Sequence, residues 1–208
     1  MLSRIKAFTR ENLSWLIIAC IFFMFGYFLT YYTLGRYPEA MSQLITPQME
    51  KLSELGQEIY TSHPLQGIYH MFSNNAIASF GIILFSFFLG LPPLFSLVGN
   101  GALIGAVSFI LAEQNISFLP FFIYGILPHG IFELPAFIFS AALGLKIGYH
   151  VLFPLPGEGR INSMKILYRE VLRMTPVIVI LLVIAACVEV LVTPLILDFF
   201  LPTDFTLN

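Results

Sequence analysis

The feature that most constrains this chain is a series of apolar runs, each about as long as a helix that crosses a lipid bilayer. The runs cover approximately 13–33, 68–89, 94–112, 118–145 and 176–197. A spanning helix needs about 20 apolar residues to cross roughly 30 Å of hydrocarbon. Hydrophobic residues make up 58% of the chain and charged residues 11%, which excludes a water-soluble domain. The sequence therefore predicts an all-α, polytopic membrane bundle of about five helices, folded as a single domain.

The basic residues predict how this bundle is oriented. One basic group, Arg4, Lys6 and Arg10, precedes the first run. A second group lies between the fourth and fifth runs and consists of Lys146, Arg160, Lys165, Arg169 and Arg173. Four spans separate the groups, so both fall on one side, which the positive-inside rule assigns to the cytoplasm. We expect a cytoplasmic N-terminus, an outer segment over 34–67, a cytoplasmic segment over 146–175 and a C-terminus outside.

The charge balance also limits the class of partner. The net charge is -2 and the sequence contains no Lys- or Arg-rich run, so nothing indicates a nucleic-acid partner. The outer segment has apolar residues at close to helical spacing, which predicts an amphipathic helix on the outer surface. Glu50, Glu54 and Glu58 recur every four residues and share another face of that helix. This helix either packs on the ends of the spans or docks a partner protein through these glutamates.

Three ionisable residues inside the runs require a physical reason, because each costs about 3 kcal/mol at membrane depth. They are His129, Glu133 and Glu189. The first two are four positions apart and share a helix face, and Glu133 and Glu189 should lie at one depth. An imidazole with two carboxylates suits zinc or another divalent ion. A closed hydrogen-bond network and a role in transport or catalysis are the alternatives. The H-E-x-x-H motif of zinc proteases is absent from the sequence, so hydrolysis is not supported.

The fourth run contains residues that disturb a straight helix. Pro128 lacks a backbone donor, and Gly130 follows it closely. The sequence predicts that this span is broken near Gly125, with His129 at the start of its inner half.

Small and polar residues in the second and third runs favour close helix pairing. Asn74, Asn75 and Asn100 predict hydrogen bonds between helices, with a polar lining as the alternative. Gly101 and Gly105 form a G-x-x-x-G pair, which allows two helix backbones to approach closely. This pairing occurs either within one chain or between two copies, so a homo-oligomer is left open.

Several short motifs carry a family resemblance. They are Phe-Ser-Asn-Asn at 72–75, Gly-Asn-Gly at 99–101, Pro-His-Gly-x-x-Glu-Leu at 128–134, and Val-Glu at 188–189 with Thr-Pro at 193–194. Over residues 68–194 the chain resembles the stage II sporulation protein M family. The resemblance implies a five-span protein of the cell membrane with a cytoplasmic N-terminus. It also implies a non-enzymatic scaffold that recruits peptidoglycan-degrading partners, the stage II sporulation proteins D and P, during engulfment of the forespore.

The resemblance supplies no catalytic residue to carry over, and no certain cofactor. Two other functions remain open from the residues themselves. One is a transporter or channel-like protein, and the other is an intramembrane metal-binding protein that uses His129, Glu133 and Glu189.

Overall fold

The described part of the protein consists of helices joined by short connections. The computed structural model describes residues 1–37 and 63–200, together with residues 39, 43, 46, 47 and 50 between them. Its helices are α1 (Leu2–Glu11), α2 (Leu13–Arg36), α3 (Pro64–Leu84), α4 (Leu91–Glu113), α5 (Phe118–Phe121), α6 (Leu127–Leu152), α7 (Arg160–Leu191) and α8 (Thr193–Phe200). A 3₁₀ turn at Phe85–Phe87 extends α3, and a π-helical turn at Phe122–Ile126 joins α5 to α6. These residues include no strand, which confirms the all-α prediction.

The described residues provide five helices long and apolar enough to cross a membrane, as the sequence predicts. They are Leu13–Arg36, Pro64–Phe87, Leu91–Glu113, Phe118–Leu152 and Arg160–Leu191. The last of them begins well before the apolar run at 176–197. Its first turns carry a buried stripe, Ser163, Leu167, Val171 and Met174, whose spacing of three to four residues places it on one helix face. Packing of this stripe accounts for the longer helix.

Helix α6 lies at the centre of the bundle, and its small residues let other segments approach. Among the five apolar helices of the described chain, the α5–α6 span is the most buried and the α3 span is the least buried. A Cβ atom at Gly148 would overlap the backbone of Gly90, and one at Gly144 would press on the Pro93 ring. Gly90 itself adopts a positive φ of 72°, which an L side chain rarely does. The turn between α3 and α4 is therefore held against α6 by glycines on both sides.

Helices α2 and α4 form a second close pair. A Cβ atom at Gly101 would overlap the backbone carbonyl oxygen of Phe23, and one at Gly105 would overlap that of Tyr27. Gly26 of α2 makes the reciprocal approach to the α4 backbone. The predicted G-x-x-x-G face is thus used within one chain.

The two basic groups lie at the same end of the bundle, which we call the basic end. Arg4 of α1 and Arg173 of α7 line one cavity there. In the same region Lys146 Nζ lies 2.7 Å from Glu170 Oε2 and donates to Asn12 Oδ1 at 2.7 Å. This arrangement agrees with the prediction that four spans separate the two groups.

The predicted amphipathic helix of the outer segment falls mainly on residues that the structure does not describe. Glu54 and Glu58 lie outside the described residues. Glu50 is helical and exposed.

Candidate metal centre

The local backbone before His129 is a π-helical turn rather than a break. The turn covers Phe122–Ile126, and Pro128 follows it without an N–H to donate to the carbonyl of Tyr124. The wider turn keeps the chain helical across this missing donor, so Phe118–Leu152 continues as one span. The predicted break at Gly125 is therefore wrong in form, although the irregularity is where proline requires it. Turns of this kind are frequent at functional sites.

The three ionisable residues of the membrane spans meet where α6 packs on α7. One ligand atom from each of His129, Glu133 and Glu189 lies within 4.8 Å of the others. His129 and Glu133 are one turn apart on α6, and Glu189 comes from the last turn of α7. All three side chains are half-buried. We call these three residues the polar cluster.

Thr193, at the start of α8, orients the imidazole of the polar cluster. Its Oγ1 lies 3.4 Å from His129 Nδ1, and its hydroxyl donates to the Val188 carbonyl at 3.3 Å. Because a hydroxyl has only one proton to donate, its oxygen is free to accept from His129 while that proton points to Val188. In the tautomer protonated at Nδ1 this hydrogen bond forms, and Nε2 keeps a free lone pair. Thr193 is only 2% exposed, so the arrangement is shielded from solvent.

Asn75 of α3 adds a polar group beside the polar cluster. Its amide lies close to Glu133. Within the described chain, its Nδ2 atom and the Oε2 atom of Glu189 are both buried without a hydrogen-bond partner. Buried polar atoms normally have partners, so each of these two atoms requires a specific explanation.

The other predicted polar and small residues occupy different positions. Asn74 is exposed. Asn100 is also exposed, and its amide donates to the Ser96 carbonyl of its own helix at 2.8 Å. Neither residue is part of the polar cluster. Pro128 occupies the first turn of α6, and Gly130 is half-buried beside the side chain of Ile126.

No basic side chain of α6 lies close enough to the polar cluster to balance its negative charge. Lys146 is 13 residues from Glu133 on the same helix, which is about 20 Å at 1.5 Å per residue. It is also engaged with Glu170 and Asn12 at the basic end. Two carboxylates within 4.8 Å of each other in a membrane span therefore need a cation or a proton between them.

The sequence pattern does not predict Thr193 as a site residue, and it favours helix pairing for Asn75. Thr193 lies four positions after Glu189, the spacing that places two residues on one helix face. That spacing is a sequence pattern that connects Thr193 to Glu189 of the polar cluster. Nothing comparable connects Asn75 to Glu133, because the two residues lie on different helices.

A comparison with protein families identifies the family of this chain. The family model described as Stage II sporulation protein M matches residues 16–194, a stretch that includes the first apolar helix from residue 16 onward and the other four in full. The chain belongs to the Stage II sporulation protein M family. This confirms the resemblance seen in the sequence, and the family is not known as an enzyme family. The matched residues include the polar cluster, Asn75 and Thr193.

A comparison with curated proteins found a relative of the chain. An uncharacterized protein of Methanocaldococcus jannaschii is 33% identical over 133 residues, which is 62% of this chain and 72% of the relative. No solved structure matches the chain. The Stage II sporulation protein M family and five apolar helices together make this protein an integral membrane protein.

Proposed function

We propose that this protein is a non-enzymatic, multi-pass scaffold of the cell membrane that recruits peptidoglycan-remodelling proteins. The observation that carries the proposal is the Stage II sporulation protein M match over residues 16–194, which reaches all five apolar helices. The spans occupy most of the 208 residues, so the segments between them are too short for a separate catalytic domain. In a scaffold of this kind the chemistry belongs to the recruited partners, which would be hydrolases of the stage II sporulation protein D and P type.

The orientation that this function requires places the basic end in the cytoplasm and the opposite end outside. The shared location of Arg4 and Arg173 supports it, because such basic residues are retained on the cytoplasmic side. Outside the membrane, the connection from Arg36 to Pro64 is then the longest segment available to an extracytoplasmic partner.

Cysteine labelling tests this orientation. In a chain with Cys20 and Cys187 replaced by alanine, Glu158→Cys at the basic end should react with a membrane-impermeant maleimide only after the membrane is opened. Glu113→Cys, at the far end of α4, should react in intact cells. Both glutamates are exposed, so accessibility to solvent is matched within the protein. The reverse pattern would exclude the proposed topology.

Charge reversal in the outer segment tests where partners dock. The triple variant Glu50→Lys, Glu54→Lys and Glu58→Lys should lower the amount of co-purified partner at least about tenfold, because each 1.4 kcal/mol lost from an interface is a factor of ten. Recovery is measured by pull-down from membranes that contain tagged proteins of the D and P type. Glu113→Lys, which reverses an exposed carboxylate elsewhere, serves as the control. Undiminished recovery of partners by a folded triple variant would remove this face as the dock.

A further inference from the structure

We propose that the polar cluster is an intramembrane binding site for a divalent transition-metal ion of the zinc class. The ligands are Nε2 of His129 and one carboxylate oxygen each from Glu133 and Glu189. The ion would join α6 to α7 within the membrane. This site is additional to the scaffold function and does not depend on it.

The geometry of the polar cluster is close to that of a metal site. Ligand atoms about 2.1 Å from a tetrahedral zinc ion are about 3.4 Å apart. The corresponding atoms here lie within 4.8 Å of one another. The ligand atoms therefore have to approach one another by no more than about 1.4 Å to bind one ion. All three residues are half-buried.

The charge of the polar cluster also favours a divalent ion. Glu133 and Glu189 together offer two negative charges to a divalent ion, which neutralises both at once. The nearest basic side chain on α6, Lys146, is already held by Glu170 and Asn12 at the basic end. Ionised groups in a membrane interior are paired with an opposite charge, and a bound metal ion meets that requirement.

The hydrogen bonding around the polar cluster is also typical of a metal site. Metal-binding histidines usually donate their second ring N–H to an oxygen, which fixes the tautomer and orients the ring. Thr193 provides that oxygen for Nδ1, since its own proton goes to Val188. The buried Oε2 atom of Glu189 has no partner in the described chain, and a metal ion would provide one.

The ligand types determine the class of ion. One imidazole nitrogen with two carboxylate oxygens matches the preferences of zinc and, less selectively, of manganese or iron(II). Calcium and magnesium prefer sites made only of oxygen. Three protein ligands leave one tetrahedral position, which water can fill.

The first experiment measures zinc binding by the full-length chain in lipid nanodiscs. After removal of metal by a chelator, Zn²⁺ is added back, and bound zinc is counted by mass spectrometry and by competition with an indicator. The wild type should hold one zinc per chain. His129→Gln and Glu189→Gln should each lower the affinity more than about 100-fold, since losing a ligand costs more than losing a hydrogen bond to one. Cys187→Ala, on the same helix as Glu189, should bind like the wild type.

The second experiment uses Thr193, which contacts the ligand His129 and is not itself a ligand. Thr193→Val removes the acceptor of the ring proton and should lower zinc affinity about 10- to 100-fold. Thr193→Ser keeps the hydroxyl and should restore it. A purely structural role in packing would give the opposite order, because valine matches the shape of threonine better than serine does. X-ray absorption of the bound zinc should show nitrogen and oxygen ligands only.

Three outcomes would overturn the proposal. A folded wild type that binds none of Zn²⁺, Mn²⁺ and Fe²⁺ would show that the polar cluster is not a metal site. Equal binding by Glu189→Gln and the wild type would place the metal elsewhere. Sulfur ligands in the absorption spectrum would assign the metal to a cysteine. The wild-type measurement decides the matter even if a variant fails to fold.

Discussion

Replacing Gly101 by leucine is expected to force α2 and α4 apart and to lower the free energy of unfolding by about 3 kcal/mol, the upper end of the usual cost of overpacking. A Cβ at this position would meet the backbone carbonyl oxygen of Phe23 and the backbone nitrogen of Tyr27. Backbone atoms cannot rotate away as a side chain can, so the helices themselves must move. Thermal unfolding of the purified protein in one detergent measures the effect.

Gly99→Leu is the matched control, because Gly99 lies two residues away on the same helix and a Cβ there meets nothing within 4 Å. Both substitutions remove a glycine from a helix and add the same apolar side chain, so helix propensity and hydrophobicity cancel between them. The difference in unfolding temperature then measures the packing of α2 on α4 alone. Equal unfolding temperatures for the two variants would contradict this close approach.

The sequence was sufficient to predict the spans and the glycine face, because both depend on local patterns. Apolar length alone determines whether a helix can cross the bilayer, and the G-x-x-x-G spacing places Gly101 and Gly105 on one face. The identity of the facing helix is a different question. It depends on how each helix is rotated about its own axis, and no local pattern states that α2, rather than a second copy of the chain, covers those glycines.

The polar cluster was predictable for a related reason. His129 and Glu133 share a helix face by spacing, and the bilayer restricts Glu133 and Glu189 to a common depth although they are 56 positions apart. Because the membrane fixes the depth of each residue, only the rotation of each helix about its own axis decides which side chains meet. The contributions of Asn75 and Thr193 depend on that rotation, and the form of the irregularity before Pro128 depends on how the backbone relaxes. Neither can be read from spacing alone.

The network at the basic end was not predicted at all. The sequence presents Lys146 only as one of several basic residues that determine orientation, and Asn12 as a polar residue before the first span. Their contact joins positions 134 apart along the chain. Asn12 also donates to Glu170, so the start of α2, the end of α6 and the first half of α7 meet in one set of hydrogen bonds. A distant pairing of this kind follows from the packed bundle and has no sequence signature.

Removing the lysine from this network is expected to destabilise the protein more than removing any exposed cation. Lys146→Met should lower the free energy of unfolding by about 3 kcal/mol, the lower end of the cost of breaking a buried ion pair. The two partners are only 15% and 14% exposed, so the carboxylate of Glu170 would be left with little solvent to replace the ammonium. Lys165→Met is the control, because Lys165 is exposed on α7. Thermal unfolding in the same detergent compares the two variants.

A second substitution separates charge from packing at this site. Adding Glu170→Gln to Lys146→Met removes the uncompensated carboxylate, and a glutamine can still accept from Asn12. The double variant should therefore unfold at a higher temperature than Lys146→Met alone. A further loss instead would mean that the lysine stabilises the protein mainly through packing of its aliphatic part. The sign of this coupling decides between the two accounts, because only the charge account predicts that removing a second native side chain restores stability.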